Sequence, residues 1–331
     1  MRKLRVIQIG IAHAHATAIL RGLARLPDLY ELVGFVIPED ERTEYEERKS
    51  YFGSAREYTL EEALDDPTID AFTIECKERD LVKYALAVAE RGKHIHMDKP
   101  GGFNLYEFER LIDTVKKNKS VLSLGYMYRY NPEIIRLKER VKNGELGEIF
   151  SVEAEMNCSH NERDRLALRE MPGGMMFFLG CHLVDLILSI MGSPEEIIPY
   201  NTSTKIGGVD VVDYGFAVFK YPRGLATAKT VDVERGGFAR RQLVVSGEYG
   251  TVELRPLECQ SSKNLFYTTR TEYPTTDWHT PGITARSEVF DRYDALLTAF
   301  AKMVRGEMEN PYTYDYELEL FRSVLRAAGA I

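Results

Sequence analysis

The sequence has no run approaching the ~18 consecutive apolar residues of a membrane-spanning helix, so no membrane role is expected. It has no basic surplus either. Its 43 Lys and Arg against 51 Asp and Glu leave a formal net charge of −8, which argues against a sequence-independent nucleic-acid binder. Four cysteines, Cys76, Cys158, Cys181 and Cys259, stand far apart without a Cys-x-x-Cys pair, and read as reduced thiols in a cytoplasmic protein. The start, Met1 to Arg5, is basic, but the apolar run behind it is only a strand's length and lacks a cleavage site. There are no internal repeats and no low-complexity segments.

What is present is length and alternation. A chain of 331 residues can hold two domains with good cores. Apolar strand-like runs at 4–10, 29–37, 69–75, 94–98 and 120–124 alternate with helical spacing at 14–26, 41–49, 59–64, 79–91 and 106–118. Thr59-Leu60-Glu61-Glu62 has the form of a capping box. Parallel strands need crossover helices, so this alternation predicts a doubly wound, Rossmann-like parallel sheet over residues 1–124.

In such a sheet the first turn cradles a diphosphate through Gly-x-Gly-x-x-Gly. Here the turn is Gly10-Ile11-Ala12-His13-Ala14-His15, which keeps only the first glycine. Ala12 still allows close backbone approach, and donors at the following helix start stay available to an anion. The turn alone leaves dinucleotide binding open. Strand two ends at Pro38 and is followed by Glu39, Asp40, Glu41 and Arg42. Glu39 or Asp40 is the candidate ribose acceptor and Arg42 the candidate partner of a 2′-phosphate, so NAD and NADP are both compatible.

The stretch Lys93-His94-Ile95-His96-Met97-Asp98-Lys99-Pro100 reads as a buried strand ending on a lysine. Pro100 disfavours the helical region for Lys99 and so holds it extended at the strand end. Ligands of open α/β sheets collect at that end.

With Gly92 in front, this stretch resembles the Gly-Lys-His-x-x-x-Glu-Lys-Pro of the Gfo/Idh/MocA oxidoreductases, with Asp98 for the glutamate. Further on, Arg129-Tyr130-Asn131-Pro132 resembles that family's entry into its second domain, and Gly144-Glu145-Leu146-Gly147-Glu148-Ile149 its following turn. Gly173-Gly174 and Gly180-Cys181-His182-Leu183-Val184-Asp185 match in part its Gly-Gly-x-x-x-Asp-x-Gly-x-His-x-x-Asp signature. The resemblance implies a second α+β domain over 125–331 with a large, mostly antiparallel open sheet. The β-rich runs at 209–220, 226–233, 242–246 and 251–255 agree with this. The resemblance also implies NAD or NADP as cofactor, a carbohydrate-like small-molecule substrate, and a homo-oligomer formed through the C-terminal sheet.

Carried over residue by residue, Lys99 and His182 are the catalytic candidates, while the family's aspartate falls on Phe178. Gly10, Ala12, His13, His15, Asp98 and Lys99 are the further cofactor candidates; Arg129, Tyr128 and Phe178 are those for substrate. Asp185 reads as structural. His182 is the natural base, because an imidazole titrates near neutrality. Lys99 would need its pKa brought from about 10.4 to roughly 7–8, on the order of 4 kcal/mol, and is assigned to orientation instead.

His13-x-His15 and His94-x-His96 each put two imidazoles on one face of an extended chain, but nothing in the sequence brings the pairs together, and no metal is expected. The polar segment 261–287, with the only tryptophan, Trp278, is expected to be a lid, an oligomer contact or an irregular connection. Amphipathic helices follow at 289–304 and 316–328. Three functions remain: an NAD(P)-dependent dehydrogenase of sugars or polyols, an NAD-assisted glycoside hydrolase, and a ligand-binding or regulatory protein that has lost catalysis.

Overall fold

The computed structural model describes residues 2–274 and 276–331. The chain forms two compact units, one of residues 1–127 with 293–318 and the other of 128–292 with 319–331. The sequence expectation had placed all of 125–331 in the second domain.

The first unit opens with β1 (Leu4–Ile9), α1 (Ala16–Arg25), β2 (Tyr30–Val36), α2 (Arg42–Arg48), β3 (Arg56–Glu57), α3 (Leu60–Asp65) and β4 (Ala71–Ile74). It continues with α4 (Leu81–Glu90), β5 (His94–Met97), α5 (Leu105–Asn118) and β6 (Leu122–Leu124). The strands form one parallel sheet in the order β3-β2-β1-β4-β5-β6, as expected. Order reverses between β1 and β4, the switch point beyond which ligands gather. Val6, Ile7 and Ile9 of β1 and Phe72 and Ile74 of β4 are fully buried, which is why these strands read as continuous apolar runs. Thr59 caps α3 with the reciprocal Glu62 bond of a capping box.

The second unit holds α6 (Pro132–Lys142), β7 (Ile149–Glu155), α7 (Glu162–Ala167), α8 (Met175–Phe178), α9 (Gly180–Met191), β8 (Glu196–Pro199), β9 (Tyr214–Lys220) and β10 (Leu225–Val231). Then come β11 (Gln242–Gly247), β12 (Gly250–Leu254), β13 (Cys259–Ser262), β14 (Leu265–Tyr267), β15 (Thr269–Tyr273) and β16 (Ile283–Arg286). Its large sheet runs β16-β15-β12-β11-β7-β10-β9-β8, antiparallel except for the parallel β7–β10 pair. The segment 261–287 therefore carries strands rather than an irregular connection; Thr275 within it lies outside the described residues. Alternate residues such as Ala217, Phe219, Ala228, Val245 and Val252 turn inward, and α9 packs against β7 and β10.

Helix α9 is apolar around nearly its whole circumference, as a helix with no solvent face must be. Asp185 on it is therefore a buried charge that needs a partner. Arg129 supplies one, its Nε 3.0 Å from each carboxylate oxygen and a terminal nitrogen 2.8 Å from Oδ1. The chain closes with α10 (Asp294–Val304) and α11 (Tyr314–Ala328). Residues 293–318 are tied to the first unit by Arg25–Asp294, by Tyr30 Oη donating to Leu297 O at 2.5 Å, and by Tyr314 Oη donating to Ser120 O at 2.6 Å.

Removing one partner of a buried ion pair strands the other charge. Asp185→Ala should cost about 3–5 kcal/mol in urea unfolding, and Arg129→Met with Asp185→Leu should recover most of it.

Candidate functional site

The turn after β1 is built by close approach. Gly10 has φ +83°, and a Cβ there would stand 2.5 Å from the backbone of Cys76, so only glycine lets the loops after β1 and β4 meet. The N–H groups of Ile11 and Ala12 donate to Glu41 Oε2 at 2.7 and 2.9 Å, and Lys77 N–H donates to Glu41 Oε1 at 2.8 Å. Donors suited to a phosphate thus hold a carboxylate. Burial pushes the Glu41 carboxyl up, with these N–H bonds opposing.

Glu41 is the acid that sequence reasoning passed over. Glu39 is almost wholly exposed, beside Arg42, and Asp40 pairs with Lys77 and Arg79 at 2.9 Å each. The short 3₁₀ turn at Glu39–Glu41 rotates only its last residue inward. Its position as the third acid after Pro38 was visible, but not the direction of that rotation. Glu39, Arg42, Pro38 and Tyr84 line a cleft of ≈ 480 Å³ at the carboxyl end of β2.

Asp98 follows β5 and lies at the centre of the next cluster. His13 Nδ1 and His15 Nδ1 stand 2.9 and 3.0 Å from its Oδ2, and Lys99 N–H donates to its Oδ1 at 2.7 Å. Gly125 permits this packing, since a Cβ there would lie 2.8 Å from Asp98 Oδ1. Burial works against the Asp98 charge, but His13 and His15 outweigh it and hold the carboxyl well below its usual range. Burial lowers His15 despite Asp98. Glu75, beside them, is pushed well above the ordinary range by burial and by the charge of Asp98. Lys99 is 1% exposed, and its peptide bond to Pro100 is cis. The second pair does not join this site: His94 Nδ1 accepts from Val121 N–H, and burial pushes His96 down to about 4.

In the second unit His182, on the first turn of α9, is buried with its ring 5.6 Å from Tyr128, edge to face. Tyr128 and Arg129, expected at the substrate, are both buried. Arg129 is committed to Asp185, and Tyr128 Oη donates to Glu258 at 2.7 Å within a network completed by Arg241 and Arg292. These contacts account for the two residues as internal supports. Phe178 ends α8 and faces the ring of His160 at 6.5 Å.

His160 was not anticipated. Its Nδ1 lies 2.5 Å from the buried Asp232 Oδ1, and Cys158 Sγ lies 2.9 Å from the same oxygen. The hydrogen bond that His160 makes to Asp232 raises His160, with burial opposing. Cys158-x-His160 was the only signal in the sequence, and its partner comes from the loop after β10.

Residues 4–126 match the model of the oxidoreductase family with an NAD-binding Rossmann fold, and residues 134–253 match the GFO/IDH/MocA C-terminal domain. The chain belongs to the Gfo/Idh/MocA oxidoreductase family. Among curated relatives of this Gfo/Idh/MocA chain, the uncharacterized oxidoreductase YdgJ of Escherichia coli K12 is 26% identical over 79% of this chain and 78% of its own. Myo-inositol 2-dehydrogenase of Thermotoga maritima is 25% identical over 66% of this chain and 63% of its own. Among solved structures, a levoglucosan dehydrogenase in complex with NADH and levoglucosan superposes with a TM-score of 0.81 at 16% identity, covering 99% of this chain and 98% of that one. The aldose–aldose oxidoreductase of Caulobacter crescentus, complexed with glycerol, gives 0.79 at 19% identity, covering 99% and 97%. The first unit of this Gfo/Idh/MocA member is accordingly an NAD-binding Rossmann domain. Among the described residues no helix is long and apolar enough to cross a membrane.

The Ile11 and Ala12 N–H groups suit an anion but are engaged by Glu41, which a diphosphate would have to displace to use them. The cleft at the end of β2 supplies an acid and an arginine for the ribose end.

His160 gives a sign-defined pH effect. Its folded pKa is raised above 6.5, so its contribution to stability is complete below pH 6.5 and is lost as pH rises through the folded value. Urea midpoints measured from pH 6.5 upward should fall in wild type, and His160→Asn should flatten that slope.

Proposed function

We propose that this chain is an NAD(P)-dependent dehydrogenase acting on the CH–OH group of a sugar, polyol or related small molecule. The observation that carries the reading is Lys99, buried at the carboxyl end of β5 with its backbone pinned by Asp98. The nicotinamide, when bound, supplies the hydride chemistry. Lys99 orients the reacting oxygen through its ammonium. His182, on a helix start fixed by the Asp185–Arg129 pair, takes the hydroxyl proton. Phe178 puts an apolar ring where the family resemblance asks for an aspartate, so the proton has one fewer carboxylate to use.

That same ring favours a second reading, a ligand-binding member that retains the fold without turnover. Calorimetric titration with NAD, NADH, NADP and NADPH, followed by a panel of polyols and sugars, separates the two. We expect one nicotinamide pair to bind and a panel member to be oxidised. Lys99→Ala and His182→Ala should each lower kcat about 10²–10⁴-fold, His182→Ala with cofactor affinity kept. Binding of none of the four nucleotides removes the dehydrogenase; binding without turnover across the panel leaves the second reading.

The proposal extends to self-association through the large sheet of the second unit, where Phe150, Leu225 and Tyr249 are exposed. A sedimenting monomer at micromolar concentration would remove that part.

A further inference from the structure

We propose that His13, His15 and Asp98 bind one divalent first-row transition-metal ion, with positions left open for oxygen ligands. The inference goes beyond the dehydrogenase reading and stands or falls without a nicotinamide.

Three donor atoms converge here from two strand ends. His13 Nδ1 and His15 Nδ1 stand 2.9 and 3.0 Å from Asp98 Oδ2, and all three lie within 4.8 Å of one another. For metal–ligand bonds of about 2.1 Å, cis donors on an octahedral ion are roughly 3.0 Å apart. Two imidazoles and one carboxylate on one face of an ion leave roughly three of six positions open. A tetrahedral ion would separate the donors to about 3.4 Å, which a small rotation of Asp98 supplies.

Hydrogen bonds alone do not satisfy these atoms. His15 N–H points at His13 Nδ1 from 3.2 Å, which calls for a lone pair on that nitrogen. The same nitrogen lies 2.9 Å from a carboxylate oxygen, which calls for a proton on it. One atom cannot meet both demands; a cation bound by its lone pair removes the need for a proton toward the carboxylate and leaves the 3.2 Å approach of His15 N–H as the contact that yields. A neutral imidazole offers either a donor or an acceptor at a given nitrogen, never both.

The surroundings have the form of an outer coordination shell. His13 Nε2 is buried 3.6 Å from Glu78 Oε1, so a carboxylate stands behind the ring of the would-be ligand. Lys99 N–H fixes the other oxygen of Asp98, and Glu41 holds the backbone of the turn two residues before His13. Glu75 Oε2, 3.8 Å from His13 Nδ1, is a further oxygen donor in reach. Such support holds ligands in place before the metal arrives.

A second cluster, Cys158, His160 and Asp232, offers sulfur, nitrogen and oxygen, and the test must separate the two. The full chain, freed of metal by chelation and kept without nucleotide, is titrated with Co²⁺, and separately with Mn²⁺, Fe²⁺ and Zn²⁺. The expected result is one saturable Co²⁺ equivalent with visible d–d absorption and no sulfur-to-cobalt charge-transfer band. His15→Asn, at a partly exposed position, should lose that binding while melting like wild type. Glu78→Gln should weaken it about 10–100-fold, as outer-shell changes do. Cys158→Ala should leave it unchanged. No saturable binding of any of the four ions, binding that survives in His15→Asn, or a charge-transfer band abolished by Cys158→Ala would each overturn the proposal.

Discussion

The buried charge of Asp98 is the constraint on which the first unit's functional end depends. An ionised carboxylate 1% exposed would cost several kcal/mol were it not compensated on each oxygen. Compensation comes from the β1 turn through two imidazoles and from its own strand end through Lys99 N–H. The turn after β1 is thereby tied to the carboxyl end of β5, across the intervening β4. The backbone of Lys99 is fixed by the same carboxylate. Its position thus follows from an electrostatic requirement as well as from Pro100.

Three carboxyl groups crowd this turn, and they cannot all share one protonation state. Like charges in a buried site drive their pKa values apart. Asp98, facing two histidines, takes the charge; Glu75, facing Asp98, gives it up. Glu41 is stabilised instead by three backbone N–H groups, which reach it from the loops after β1 and β4. Such tuning of adjacent acids is a mark of functional sites.

The sequence made the parallel sheet legible because strands covered on both faces read as unbroken apolar runs, punctuated by Gly10 and Gly92. The capping box at Thr59 and the strand end at Lys99 were legible for the same reason: each is a local rule spanning a few residues. Glu41 was not, since three consecutive acids differ only in which way a 3₁₀ turn faces them. Nor was the return of residues 293–318 to the first unit, for its amphipathic helix records that a face is buried and not against what. His160 needed a partner from another strand's end, and no spacing rule relates positions 160 and 232. Arg129 and Tyr128 could not be placed from the sequence, because their partners, the buried charges of Asp185 and Glu258, come from distant segments.

The two imidazole–carboxylate clusters show how one pair of residue types is turned to opposite ends. At Asp98, two histidines divide one carboxylate that is itself 1% exposed, so desolvation prevails and His15 is lowered. At Asp232, a single histidine has a carboxylate oxygen to itself, and His160 remains about a third exposed, so the hydrogen bond prevails and its pKa rises. Each pKa unit is worth about 1.4 kcal/mol, which is within the range of one charge-assisted hydrogen bond. The sign is therefore set by the number of imidazoles per carboxylate and by access to water. His160 sits against Phe178, the position from which the family's aspartate is missing. Phe178 thus borders an imidazole–carboxylate pair.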